Sequence, residues 1–466
     1  MKIYNTLSHK VEEFIPHSGN VVKMYTCGPT VYHYAHIGNL RTYIFEDILE
    51  KSLNYLGYDV KRVMNITDVG HLSSDADTGE DKMLMGAKRE HKTVYEIADF
   101  YTKAFFSDTE KLNIKRPEVV SKASDNIDMY IKIIDNLLEK GIAYKSGNNV
   151  YFDTSKLNNY YVLTNHNEDS LLEGVRDDVE VDKNKRNKTD FVLWFTKSKF
   201  EDQQLKWNSP WGVGYPGWHI ECSCISLNHL GEYLDIHCGG VDNIFPHHTN
   251  EIAQSEAFLG HKWCNYWFHN EHLIDETGKM SKSKGGILTV SKLEEQGFNP
   301  LSFRFMCLGS HYRKQLLFTN DNLVQAENTY KKLLKKISNI NEEGKKDINH
   351  FDLYIEKFKC QLESDLNTSN ALSILYELLK DNAVNGTTKI SIIKEFDKVL
   401  ALDLCANNTE ISIELEDEIN ELINKRMLAK KNKDFEQADN IRNELLKKGI
   451  KLIDTREGTS YEIVKD

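Results

Sequence analysis

A strand, a helix and a second strand follow one another near the start of the chain, and that order restricts the fold more than any other feature. Residues 21–26 (Val21, Val22, Lys23, Met24, Tyr25, Thr26) read as a short buried strand that Gly28 and Pro29 terminate. Leu40, Ile44 and Ile48 then recur at helical spacing through 38–55, and Gly57 stands where a C-terminal cap is expected. Residues 60–66 read as a second strand. This spacing predicts a βαβ unit, hence a parallel sheet, because parallel neighbours need a crossover. Such sheets bind ligands beyond the carboxyl ends of their strands. Cys27 and Thr67 lie just past two strand ends, so the pattern brings them to one edge.

A chain of 466 residues is too long for one ordinary domain; at roughly 150 residues each, about three are expected. Residues 75–86 are polar and turn-rich, 121–140 carry a helical pattern, and 173–190 are charged and expected to be exposed. This middle section reads as an insertion without a chemical motif. All six tryptophans (Trp194, Trp207, Trp211, Trp218, Trp263, Trp267) fall in one window, as a packed core or a pocket wall. A sheet-like run covers 233–238, and a helix is expected from near Pro246, tolerated at a first helical position, to Gly260. After Phe303 come long helical segments at 322–340, 352–362 and 369–382, then two helices over 415–448. A short strand pair closes the chain, with Gly449 and Gly458 as breaks. The overall expectation is an α/β front and an all-helical back.

Hydrophobic content of 40% with 28% charged residues is ordinary for a soluble globular protein. No secretory leader and no apolar run of about 20 residues is evident, so a cytoplasmic location without membrane contact is expected. The net charge of −12 argues against a generic nucleic-acid binder but leaves RNA binding through a local basic surface open. The 8 cysteines are dilute; reduced thiols, some of them metal-bound, are expected rather than a disulfide framework.

Two motifs point to a nucleotide. His36-Ile37-Gly38-Asn39 stands at a helix entrance, where free backbone N–H groups and partial positive charge suit phosphate. His36 and Asn39 can donate to phosphate oxygens; a helix-capping histidine is the plain alternative. Lys279-Met280-Ser281-Lys282-Ser283 forms a basic loop able to meet the negative charge that grows on a departing pyrophosphate. No Walker-type loop occurs. A third constellation suggests a metal. His247 and Glu251 stand i, i+4 on one helix face, and with Cys27 and Cys222 they supply four ligand types that zinc accepts. Cys224, Cys238 and His248 are competing ligands, and a capping His247 with a merely buried Cys222 is the other reading.

The motifs at 36–39 and 279–283 resemble the two signatures of class I aminoacyl-tRNA synthetases. Residues 27–39, Gly217 to Ser223 and Phe245 to Ser255 together resemble cysteinyl-tRNA synthetases, in collinear order along almost the whole chain. Asn39 replaces the last histidine of the generic signature, and no role is transferred to the polar stretch 71–80. The resemblance implies a class I Rossmann-type α/β catalytic domain with an inserted connective segment and an all-α C-terminal half. It divides the chain into a catalytic first half at 1–115, the insertion at 116–205, a catalytic second half at 206–300, a helical bundle at 301–400 and an anticodon-recognition domain at 401–466.

It further implies activation of L-cysteine by ATP with Mg²⁺, transfer to tRNA(Cys), and one Zn²⁺ on Cys27, Cys222, His247 and Glu251, leaving Cys224 and Cys238 out. Catalysis would fall to Lys282, His36 and Asn39, with Lys279 a weaker contributor. Asp242 would contact the ribose unless it caps a helix, and Gly28, Thr67 and Trp218 would shape the amino-acid pocket. A monomer is expected. The basic run 425–435, then residues 438–442, 449–450 and 454–455, resemble the anticodon-reading module of bacterial members; Tyr461 stands where many have tryptophan. An enzyme joining cysteine to an amino sugar shares the front half but lacks this helical back. A non-catalytic zinc-dependent RNA-binding relative is disfavoured by the intact basic loop.

Overall fold

The computed structural model describes residues 1–69, 81–164, 182–196, 205–276, 278–279, 288–406, 413–431, 434–447, 450–455 and 458–463. The chain divides into two compact units, Met1–Leu404 and Cys405–Asp466.

The first unit is built on a parallel sheet of five strands, ordered Cys264–Asn270, Leu234–Gly240, Val21–Thr26, Asp59–Ile66, Val119–Lys122. The expected βαβ unit is its centre: Val21–Thr26 runs into the Ile37–Tyr55 helix and returns as Asp59–Ile66. Gly57, at φ +96°, takes the left-handed turn after that helix. The order places later strands on both sides of Val21–Thr26, so the direction of winding reverses beside it. A crevice opens at such a reversal, outside the carboxyl ends.

Two buried arginines fasten the central helix, Arg41 near its N-terminus and Arg304 at its middle. Arg304 pairs with Asp47 at 2.7 Å and donates to the carbonyls of Leu112 and Leu400. Arg41 donates to the carbonyls of Glu271, His272 and Lys314 at 2.6 to 2.7 Å. An arginine buried on carbonyls locks several segments at once, because each N–H it leaves unpaired is costly.

The insertion departs from the sequence reading. The expected helix over 121–140 begins only at Ile127, because residues 121–122 end the fifth sheet strand, Val119–Lys122. An antiparallel sheet of four strands follows: Ala143–Ser146, Asn149–Phe152, Phe191–Phe195 and Tyr215–Pro216. Half of the charged stretch 173–190 lies outside the described residues; in the other half Lys183, Asn184, Arg186 and Lys188 are exposed as expected, and only the last residue turns inward. Asp190 is buried, accepting from Tyr144 Oη at 2.7 Å and Thr154 N at 2.9 Å. The stretch 75–86 ends in a helix, Lys82–Glu90, which Asp81 caps through Met83 N and Leu84 N. Trp194, Trp263 and Trp267 are core; Trp207 and Trp211 pack partly buried against it.

The helical back of this unit contains Asn320–Ser338, Ile348–Glu363 and Thr368–Lys380, as the periodicity predicts, and also Gly386–Leu400. No helix among the described residues is long and apolar enough to cross a membrane. All eight cysteines are free thiols.

The second unit is a pair of helices, Ile413–Lys431 and Phe435–Lys447, with the antiparallel pair Ile450–Thr455 and Gly458–Ile463. Its core gathers Ile419, Ile423, Ile441, Leu445, Ile450 and Leu452. Arg426, within the basic run, is buried rather than solvated. Lys425 is exposed and pairs with Glu421 at 2.8 Å.

Candidate active site and metal centre

A cavity of about 480 Å³ opens at the carboxyl edge of the sheet. Its walls include Cys27, Gly28, His36, Asn39, Trp218 and Asp242, all singled out from the sequence. Thr67 is not among the lining. At the edge where the strand ends set it with Cys27, it bridges to Thr30, and its hydroxyl donates to Glu221 Oε2 at 2.9 Å beneath the surface. Gly28 is held to glycine by packing: its N–H donates to Asn65 Oδ1 at 2.7 Å, and a Cβ would stand 1.7 Å from Asn65 O.

His36 and Asn39 form a reciprocal cap on the Ile37–Tyr55 helix. His36 Nδ1 accepts from Asn39 N at 3.2 Å, and Asn39 Oδ1 accepts from His36 N at 3.4 Å. Capping and phosphate binding are compatible here. With Nδ1 accepting, the neutral imidazole carries its proton on Nε2, and the Asn39 amide keeps its Nδ2 donors. Asp242 lines the cavity half-exposed, while Gly240 holds the N-cap position that sequence offered Asp242. Lys82, at the first position of its helix, also lines the cavity; the sequence reading missed it for want of any motif.

Lys282 lies outside the described residues. Lys279 belongs to the two-residue strand Gly278–Lys279, paired antiparallel with Ile274–Asp275, and its side chain is likewise outside the description. The chain beyond residue 287 returns to the Ile37–Tyr55 helix, where Ile37 N donates to Leu288 O at 2.9 Å. Both shores of residues 280–287 are thus tied to the cavity rim.

The helix expected from Pro246 starts later. Residues Ile244–His248 form a wide turn with Phe245 extended (φ −137°, ψ 131°), and the α-helix is Thr249–Leu259, closed by Gly260 at φ +81°. The His247–Glu251 pairing survives the shift, with Nε2 3.0 Å from Oε1. Cys27, Cys222, His247 and Glu251 bring four ligand atoms within 4.8 Å of one another. The two sulfurs are 3.8 Å apart and Cys27 Sγ is 3.9 Å from Glu251 Oε1. A tetrahedral ion with bonds of about 2.3 Å to sulfur needs ligand atoms separated by about 3.5 to 3.8 Å. Cys224 and Cys238 belong to no such cluster among the described residues.

A second overlapping set consists of Cys27, His237, His248 and Glu251. His237 escaped the sequence reading; its one signal was a histidine in a wholly buried strand, two residues after Asp235. Its Nε2 lies 2.9 Å from Glu251 Oε2, which holds the carboxylate with Oε1 turned to His247. His248 Nδ1 meets His269 Nε2 at 2.7 Å, and His269 Nδ1 meets Thr6 Oγ1 at 2.7 Å. His219 Nδ1 faces His247 Nδ1 at 2.9 Å, and Trp218 stacks on His247 at 4.1 Å. Outer partners of this kind orient ligand rings and carboxylates.

The charges agree with a cation site. Burial alone would lower His247, but the Glu251 charge and the hydrogen bond to Cys222 push it up to about 10. Burial would raise Glu251, yet His237 and His247 bring it down to about 2. Burial also opposes ionisation of Cys222, but the hydrogen bond from Cys27 and the neighbouring His247 bring its thiol down to about 6; burial and Cys222 push the Cys27 thiol up. Burial and His237 press His269 down to about 3. A carboxylate and a thiolate thus face one imidazolium, whose proton stands where a divalent cation would release it.

Comparison with known proteins places the chain in a family. A family model described as "tRNA synthetases class I (C) catalytic domain" matches residues 13–328. The cysteine–tRNA ligase of Treponema denticola is 46% identical over 490 residues, covering 99% of each chain. That of Borreliella burgdorferi is 45% identical over 482 residues, again covering 99% of each. Among solved structures, Mycobacterium tuberculosis methionyl-tRNA synthetase in complex with methionyl-adenylate superposes with a TM-score of 0.54 at 15% identity, over 83% of this chain and 89% of that one. That likeness concerns the fold alone. The full-length identity to cysteine–tRNA ligases, joined to a class I catalytic sheet, shows that the chain belongs to the cysteine–tRNA ligase family of ATP-dependent ligases.

Proposed function

We propose that this cavity carries out both steps of cysteine–tRNA ligation, with a thiol-selecting metal centre in its floor. A carboxylate oxygen of L-cysteine attacks the α-phosphorus of ATP, the bond to the β-phosphate breaks, and pyrophosphate leaves. The 2′-hydroxyl of the terminal ribose of tRNA(Cys) then attacks the activated carbonyl; AMP departs and the hydroxyl proton is released. Most of the acceleration is positioning and charge stabilisation.

His36 through Nε2–H and Asn39 through Nδ2 hold phosphate oxygens at the helix N-terminus. Lys282, seconded by Lys279, meets the charge growing on pyrophosphate, and Mg²⁺ accompanies ATP. Asp242 takes the ribose. Gly28 and Trp218 shape the amino-acid pocket, while Thr67 acts through Glu221. Cys27, Cys222, His247 and Glu251 hold zinc, which supplies a soft Lewis acid for the substrate sulfur. The donor set fits that ion: a half-buried and a buried thiol 3.8 Å apart, with a buried imidazole and a buried carboxylate beside them. Cys27, alone of the four in lining the cavity, sets the ligand cluster against the place where substrate enters. The protein acts as a cytoplasmic monomer, with the anticodon read by residues 401–466.

The observation that carries this reading is the convergence of four ligand atoms within 4.8 Å under the ATP cavity. Its consequence is selectivity. Serine differs from cysteine by oxygen for sulfur, a difference worth roughly 1–3 kcal/mol in an apolar pocket; a thiophilic ion turns the choice into coordination and makes hydrolytic editing unnecessary. ATP–pyrophosphate exchange with each amino acid tests this. Exchange is expected with cysteine and only background with serine. Efficient serine activation followed by hydrolysis of the seryl product would contradict it.

A further inference from the structure

We propose that Tyr34 and Phe100, flanked by Arg89 and Lys92, form a landing platform for the single-stranded 3′ end of tRNA as it enters the cavity; the inference rests on the ligase reading above. Tyr34 and Phe100 are 36% and 41% exposed, unusual for aromatic rings packed against one another. They meet edge to face at 6.1 Å. Both also edge onto Tyr101, at 5.0 Å and 5.1 Å, and Tyr101 stacks on His33 at 5.9 Å and 13°.

The cluster is continuous with the reaction site. Tyr32 and His33 line the cavity, and Tyr34 stands two residues before His36. The Lys82–Glu90 helix is pressed directly on this wall: a Cβ on Gly86 would lie 2.9 Å from Tyr32 O, and Arg89 donates to the same carbonyl at 2.8 Å. The platform cannot move without the cavity edge.

Its chemistry is that of a single-strand reader. Lys92 Nζ sits 4.6 Å over the Phe100 ring, and the Arg89 guanidinium 6.0 Å over Tyr101. Glu90 pairs with Arg89 at 2.9 Å and Lys92 at 3.5 Å, and accepts from Tyr101 Oη. Glu90 and Glu96 both face these cations, and the Arg89 and Lys92 side chains remain 40% exposed beside the open rings. Unpaired bases are recognised by stacking on aromatic faces with cations nearby, whatever their identity. The end of a tRNA is unpaired, and its terminal ribose must reach the adenylate inside this cavity.

The test runs two assays on the full chain. Tyr34→Ala combined with Phe100→Ala should lower charging of a tRNA(Cys) transcript about tenfold or more, the scale of losing base stacking. ATP–pyrophosphate exchange, which needs no tRNA, should stay within about twofold of wild type. Tyr34→Phe with Phe100→Trp, which keeps both rings, should retain charging. Charging unchanged in the double alanine variant would overturn the platform and leave the patch to a protein partner. Exchange falling in step with charging would overturn it too. Wild-type protein that exchanges but charges no tRNA(Cys) would sink the ligase reading instead, a separate result.

Discussion

At the scale of single residues, the site is a set of charges that hold one another in place. Glu251 is the hub: His237 fixes one oxygen while the other faces His247 and the two sulfurs. Removing any one of these groups leaves a buried charge without its partner. The lysine loop is proposed for a different duty, to answer charge that exists only during reaction. Lys282→Ala is therefore expected to cut ATP–pyrophosphate exchange by about 10² or more while metal content stays as in wild type. Normal exchange in this variant would refute the loop assignment.

The clustering of these four side chains was legible because its signals are local: i, i+4 spacing for His247 and Glu251, and soft donors beside motifs for Cys27 and Cys222. His237, His219 and His269 were not legible. Each comes from a different strand or helix, and only the sheet register sets His237 one strand from His269. Thr67 showed the opposite failure. Its place past a strand end was readable, but the direction of its hydroxyl, toward Glu221, was not.

At the scale of elements, the Ile37–Tyr55 helix links the phosphate end to the core. Its buried face holds an oddity, Glu46, whose two oxygens are buried without hydrogen-bond partners among the described residues. Burial pushes its carboxyl up from 4.5 to about 8, with Arg62 opposing only in part; Tyr43, Cys27 and Cys238 are its other titratable neighbours. The unfolded chain loses this proton near 4.5 while the folded chain keeps it to about 8. Above the lower value the folded state binds more protons, so stability falls as pH rises through that window. Glu46→Gln should flatten the fall, read as the urea midpoint against pH between about 5 and 8. An unchanged slope would show that Glu46 does not titrate there.

The long helices of the back were readable from periodicity because each keeps an exposed face, whereas the central helix, buried through the unbroken run Tyr43 to Glu50, and its strand neighbours were readable as apolar segments bounded by breaks. The wide turn at Ile244–His248 was not, since an extended Phe245 interrupts a run that otherwise reads as helix. The strands Val119–Lys122 and Tyr215–Pro216 were too short for their alternation to stand out.

At the scale of the whole molecule, the order of sheet strands accounts for the site. Later strands add on the far side of Val21–Thr26, so Cys27 and Gly240 end side by side and the cavity forms between them. The sequence predicts the parallel core and the helical back, which the fold bears out. It does not predict the antiparallel sheet of the insertion, whose partners are separated by the charged stretch before Phe191.

The central claim is that substrate sulfur completes the sphere of an ion held by Cys27, Cys222, His247 and Glu251. Zinc-edge X-ray absorption of the purified enzyme, with and without L-cysteine, tests it most directly. Two sulfur neighbours are expected for the enzyme alone, three after cysteine is added, and no change with serine. Enzyme that activates cysteine without zinc, or a sulfur count indifferent to cysteine, would contradict the account.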